Sequence, residues 1–178
     1  MIRVAIFGNS GSGKSTLAKR LADRHKLPVL ELDTIVWEPG KIAVVRPREA
    51  VLADLEAFLA SNANWLVEGC YAELIGLVLD LCTEIYFLNP GAAVCCENNK
   101  RRPWEPHKYS SPEAQESMLE ALLAWVEAYY TRDDPWSLAA HRRLYDSYCG
   151  KKTEITSETR DIQDIRAEQS AAADRPRE

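Results

Sequence analysis

The octapeptide Gly8-Asn9-Ser10-Gly11-Ser12-Gly13-Lys14-Ser15 constrains this chain more than any other feature. It meets the spacing G-x-x-x-x-G-K-[ST] without a mismatch. Before it, Ile2–Phe7 is a β-branched and aromatic run that reads as a buried strand. After it, Ser15–His25 carries Leu17, Ala18, Leu21 and Ala22 on one helical stripe. A strand, a glycine-rich turn and a helix in that order make an anion cradle. Glycine lets the backbone approach a phosphate with no Cβ in the way. Successive amides and the positive helix end then hold the charge. Gly8, Ser10, Gly11, Ser12, Gly13, Lys14, Ser15 and Thr16 are therefore candidate nucleotide-binding residues. Lys14 is expected to reach the β- and γ-phosphates and Ser15 to bind Mg²⁺ through its hydroxyl. The plain alternative is a glycine-rich turn with an incidental lysine.

Strands and helices continue to alternate. Val29–Leu32 reads as a second strand, Thr34–Pro47 as mostly loop, and Glu49–Ala60 as an amphipathic helix. Trp65–Val67 is a third strand, Ala72–Asp80 a short helix, and Glu84–Leu88 a fourth strand stopped by Asn89-Pro90-Gly91. Gly91–Arg102 is a helix, and Pro103–Tyr109 an irregular loop. Ser110 or Ser111 caps a helix with Pro112 in its first turn, running to about Thr131. Pro135–Tyr148 is a helix, Thr153–Thr156 a fifth strand, and Ser157–Gln169 a terminal helix. Ser170–Glu178 reads as a disordered tail. The alternation predicts right-handed βαβ units and a parallel sheet covered on both faces, with ligands at the carboxyl ends of its strands.

Composition narrows the classes. The chain has 178 residues, enough for one domain with a buried core; we place it at residues 1–169, with an insertion at about 100–150. The formal net charge is −5, which disfavours a general nucleic-acid coat. Apolar runs such as Leu74–Leu79, closed by Asp80, fall far short of the roughly 20 residues a membrane span needs. Met1–Phe7 is too short for a secretory core segment, and the expected location is the cytoplasm. The five cysteines (70, 82, 95, 96, 149) form no CxxC, and the three histidines are scattered, so free thiols are expected.

Three groups join the loop as candidate chemistry. Asp33 stands at the end of the second strand, where an acid orients an acceptor hydroxyl or a Mg²⁺ water; the alternative is a solvated loop aspartate or a helix cap. Glu68, after the apolar Trp65–Val67, can hold magnesium through water; the alternative is a strand-end charge paired with an arginine. Arg101 and Arg102, at a helix end, can neutralise a γ-phosphate, or only complement the helix dipole. Trp104, His107, Lys108 and Tyr109 are candidates for a closing lid. Arg46 and Arg48 can grip an anionic acceptor or serve as surface charge. Tyr71 suits base stacking or core, and Trp125, Tyr129 and Tyr130 read as packing. No base-reading N/T-K-x-D and no LSGGQ-like stretch occurs, which argues against small GTPases and ABC ATPases.

GNSGSGKS, then ELD, Trp37 and Arg46, then NWLVEGCY, then IYFLNP and a basic helix end resemble the P-loop kinases of the adenylate kinase and shikimate kinase group. The pattern is most similar to the bacterial topology-modulation, adenylate-kinase-related proteins, over roughly Met1–Arg102. The resemblance implies a three-layer α/β/α P-loop NTPase fold with a five-stranded parallel sheet in the order 2-3-1-4-5 and a helical lid insertion. It implies ATP and Mg²⁺ as cofactors. Lys14, Asp33, Arg101 and Arg102 would then be catalytic, with Ser15, Asp33 and Glu68 around the metal. Where such proteins carry D-G-N-Y, this chain reads Glu68-Gly69-Cys70-Tyr71. The shikimate kinase triple glycine and the adenylate kinase D-G-x-P-R are absent, which speaks against shikimate and AMP. The expected activity is transfer of the γ-phosphoryl group of ATP to a small-molecule or nucleotide acceptor. Two alternatives remain: a nucleotide-binding regulatory ATPase that signals to a protein partner, and a kinase of polynucleotide or tRNA ends.

Overall fold

The computed structural model describes residues 1–38, 41, 44–105 and 109–157. Its centre is a five-stranded, all-parallel sheet in the order β2-β3-β1-β4-β5. The strands are β1 (Arg3–Gly8), β2 (Val29–Glu31), β3 (Trp65–Gly69), β4 (Glu84–Leu88) and β5 (Lys151–Ile155). Between and after them come α1 (Lys14–His25), α2 (Asp33–Val36), α3 (Arg48–Ser61), α4 (Ala72–Val78), α5 (Ala92–Lys100), α6 (Pro112–Ser117), α7 (Leu119–Ala128) and α8 (Leu138–Ser147).

The period-two alternation of the strands sorts their side chains onto two faces. Val4 and Ile6 of β1 join Leu66, Tyr86 and Ile155 beneath Leu17, Ala18 and Leu21 of α1. Ala5 and Phe7 point the other way, into a core with Trp65, Val67, Phe87, Leu55 and Ile75. Both faces are covered, so the central strands carry near-continuous apolar runs at Val4–Phe7, Trp65–Val67 and Ile85–Leu88. A third cluster, Cys95, Cys96 and Val126, binds α5 to α7. The cysteines are free thiols, as expected. Among the described residues, no helix is long and apolar enough to cross a membrane.

Several boundaries differ from the sequence reading. Thr34–Pro47, expected as mostly loop, opens with α2, which begins at Asp33. Tertiary burial of Leu32, Ile35 and Val36 supports this single helical turn in a segment without periodicity. Trp37 then forms an antiparallel bridge to Val45. The expected continuous helix over 111–131 divides at Met118. There the backbone tightens, with the Met118 amide donating three residues back to the Gln115 carbonyl. Ser111 caps α6 as expected, its hydroxyl accepting from the Ala114 amide at 3.1 Å. The fifth strand begins earlier than expected, at Lys151, and pairs with β4 along its length. The expected terminal helix, the expected tail and His107 and Lys108 of the expected lid lie outside the described residues.

Candidate functional site

The carboxyl ends of β1, β2 and β3 open, with the starts of α1 and α2 and the end of α5, into a cavity of about 650 Å³. Ser10, Gly11, Ser12, Gly13, Lys14, Ser15 and Thr16 line it, together with Asp33, Glu68, Arg101 and Arg102. Of the residues expected to bind nucleotide, Gly8 alone stands back, at the strand end, with φ +148°. A Cβ there would sit 2.2 Å from the Leu88 carbonyl oxygen, because β4 runs directly alongside.

The loop is held in shape from several directions. Lys14 Nζ donates to the Asn9 carbonyl at 2.8 Å. Asn9 is buried; its Oδ1 accepts from the Ser10 amide, and its Nδ2 donates to the Val126 carbonyl of α7 at 2.9 Å. Asn98 Nδ2 donates to the Gly11 carbonyl at 2.9 Å, and Ser10 Oγ donates to Asn99 Oδ1 at 3.1 Å. Gly11, with φ +74°, lies so close to α5 that a Cβ would fall 2.2 Å from the Cys95 carbonyl oxygen. The glycine thus serves close helix packing as well as the turn. Gly11→Ala should therefore lower stability by about 1–3 kcal/mol, from left-handed strain and displacement of α5. Urea unfolding at a constant m-value measures this. Sequence reasoning missed Asn98 and Asn99, since an amide pair near a helix end has no local signature.

At the sheet edge, Ile6, Glu68 and Glu31 are neighbours in register on β1, β3 and β2. Register neighbours point to one face, and Ile6 marks that face as the one beneath α1. Glu68 is buried, and its Oε1 accepts from Ser15 Oγ at 2.7 Å. Burial raises the Glu68 carboxyl above its ordinary range; Lys14 and the Ser15 hydrogen bond oppose that rise, and Glu31 and Asp33 add to it. Glu68 is met by a hydroxyl of the glycine-rich segment, not by the arginine of the alternative reading. Asp33 accepts from the Tyr71 hydroxyl at 2.5 Å. Tyr71 is buried as expected for core, yet its polar end faces the site. Its hydroxyl is held protonated by burial and by the Asp33 carboxylate.

Arg101 and Arg102 follow α5 and border the cavity, each with an acidic companion. Arg101 pairs with Glu97 at 2.9 Å and Arg102 with Glu105 at 3.4 Å. Both pairs are solvent-reachable and so hold their partners weakly. Arg46 and Arg48 do not border the cavity. Arg46 donates to the Ile35 carbonyl and pairs with Asp54 at 2.7 Å, and Arg48 pairs with Glu73 at 3.0 Å. Arg142 is likewise occupied, in a two-armed contact with Glu154 at 2.6 and 2.8 Å.

Behind the site, buried His141 ties α8 to the residue that follows β3 and to the segment after α7. Its Nε2 lies 3.1 Å from the Cys70 carbonyl, which only accepts, so Nε2 carries the proton. Nδ1 then accepts from the Tyr129 hydroxyl at 2.8 Å. Burial pulls the imidazole down to about 3, with the Cys70 carbonyl bond opposing. The folded state keeps His141 neutral, whereas the unfolded chain takes up a proton below about pH 6.5. Stability contributed by this group is thus full above pH 6.5 and is lost as pH falls toward 3. Below pH 6 the loss should approach about 1.4 kcal/mol per pH unit. Urea unfolding at pH 7.5, 6 and 5 should show a shallower decline for His141→Gln; equal slopes would refute the assignment.

Ser12 Oγ is buried, lines the cavity and has no hydrogen-bond partner among the described residues. A buried hydroxyl without a partner is costly, and an oxygen-rich ligand in the cavity supplies one. Among the described residues, no three His, Cys, Asp or Glu side chains converge as a metal site. The oxygen donors at Ser15 and Glu68 instead suit a hard cation that takes its remaining ligands from phosphate and water.

No protein-family model matches the chain, and no curated protein matches it. Solved structures share its fold. A sugar kinase from Janibacter sp. HTCC2649, in its unliganded form, aligns with a TM-score of 0.51 at 15% identity, over 98% of this chain and 95% of its own. An uncharacterized protein from Eubacterium ventriosum ATCC 27560 aligns with a TM-score of 0.51 at 14% identity, over 98% of this chain and 100% of its own. At these identities the likeness is one of fold.

Proposed function

We propose that the chain is an ATP-dependent phosphotransferase of the P-loop kinase type, moving a γ-phosphoryl group to the hydroxyl of a small acceptor. The observation that carries this reading is the Ser15–Glu68 contact at 2.7 Å beside the glycine-rich loop. It joins residues 53 positions apart, a hydroxyl and an acid, as magnesium nucleotide chemistry requires. The sugar kinase among the structures of this fold is in keeping with phosphoryl transfer and leaves the acceptor open.

The residues fit both cofactors. Loop amides, the α1 terminus and the partnerless Ser12 hydroxyl would hold the ATP phosphates. Ser15 and Glu68 would hold Mg²⁺, which when bound neutralises phosphate charge. Lys14 exchanges its Asn9 carbonyl for phosphate oxygens. Asp33, aimed by the Tyr71 hydroxyl, orients the acceptor hydroxyl and accepts its proton. The bond between the γ-phosphorus and the bridging oxygen breaks as the acceptor oxygen–phosphorus bond forms, and ADP leaves. Arg101 and Arg102 release the carboxylates of exposed Glu97 and half-buried Glu105 to meet the charge spread over the transferring group. Residues at about 100–150 would supply the lid and shape acceptor choice.

The test is transfer of labelled γ-phosphate from ATP with Mg²⁺ to a panel of acceptors. ATP binding with no transfer to any acceptor would favour the regulatory alternative. Glu68→Gln should raise the Mg²⁺ concentration needed for half-maximal rate about 10- to 100-fold, read from a magnesium titration at saturating ATP.

A further inference from the structure

We infer that the acceptor is an alcohol without a phosphate or carboxylate group, either uncharged or carrying an amine. This rests on the phosphotransferase reading above and on how charge is divided around the cavity. Among the described residues, the cations on its lining are Lys14, Arg20, Arg101 and Arg102. Lys14 and Arg20 belong to α1, and the two others follow α5. These are the elements on which the phosphates of the donor rest. The β2–β3 end, next to them, presents Glu31, Asp33 and Glu68 instead.

Glu31 and Glu68 are register neighbours on β2 and β3, and Asp33 stands two residues beyond Glu31 on the same cavity wall. An acceptor phosphate placed there would add further negative charge at short range, in a setting where like charges repel strongly. Recognising such an acceptor calls for an arginine fork or an amide nest on that side. Arg46 and Arg48, the arginines between β2 and β3, are committed elsewhere: to Asp54 and the Ile35 carbonyl, and to Glu73. Hydroxyl groups, by contrast, find acceptors in Glu31 and Asp33, and an ammonium finds its counter-charge. The cavity is a ligand site on independent grounds, through the buried and partnerless Ser12 hydroxyl on its wall.

The experiment is a transfer assay with ATP and Mg²⁺ over four sets of alcohols: polyols with sugars, amino alcohols with amino sugars, hydroxy acids, and phosphorylated alcohols with nucleoside monophosphates. Product is read by phosphorus NMR. The best substrate is expected in the first two sets, with kcat/KM at least tenfold above that of its phosphorylated counterpart. A best substrate bearing phosphate or carboxylate overturns the inference, and if its turnover depends on Lys14 the phosphotransferase reading survives. No product from any set overturns the inference too. ATP binding unchanged by Lys14→Ala would then remove the reading beneath it. In Glu31→Gln, the advantage of an amine-bearing acceptor over its phosphorylated counterpart should fall about tenfold. An unchanged advantage in that variant removes the electrostatic basis and also overturns the inference.

Discussion

Lys14→Ala is expected to lower kcat/KM for phosphoryl transfer by about a thousandfold while leaving the fold intact. The side chain donates to the Asn9 carbonyl at 2.8 Å. Losing such a bond costs about 1 kcal/mol. Its proposed role at the phosphates is of another order, because a cation aimed at developing charge is worth several powers of ten in rate. The check is a paired measurement: steady-state transfer and the urea midpoint on the same preparation. A midpoint near that of the unmodified chain together with a collapsed rate places the defect in chemistry. Turnover within tenfold of the unmodified chain would remove Lys14 from the catalytic set.

Phe7→Ala is expected to cost about 3–5 kcal/mol of stability. Phe7 is fully buried at the penultimate position of β1, just before the loop. It stacks on Phe87 of the adjoining strand at 5.4 Å and lies tilted against His141 at 5.6 Å. Truncation would leave a cavity bounded by sheet, α4 and α8, which cannot all close upon it. Against a total of about 5–15 kcal/mol for a chain of this kind, the fall is large. It should appear as a lower urea midpoint at an unchanged m-value. Phe7→Leu, closer in volume, should lose less than half as much. Equal losses for the two would mean that backbone distortion, not lost packing, sets the cost.

The fold was legible because its signals are local. Val4–Phe7, Trp65–Val67 and Ile85–Leu88 are short apolar runs bounded by glycine, proline or charge, and each is a strand of the observed sheet. The order 2-3-1-4-5 came with the resemblance, and the parallel pairings bear it out. The errors fall where periodicity is weak or two segments compete. α2 exists because Leu32, Ile35 and Val36 have a core to enter. The break at Met118 follows one tightened hydrogen bond that residue propensity does not register.

The candidate site divides in the same way. Sequence alone determined the glycine-rich loop, its lysine and its serine, and the helix that follows, because a turn with positive φ and a helix start are written within eight neighbouring positions. Tertiary structure decided which side chains meet there. Ser15 reaches Glu68 across 53 positions, Asp33 reaches Tyr71 across 38, and Ser10 reaches Asn99 across 89. It also turned Arg46 toward Asp54 and away from the cavity. Such pairings are set by strand register and by the surface each helix covers, and both depend on the packing of the whole sheet. A residue's type states what chemistry it can do; only the register states which partner it does it with.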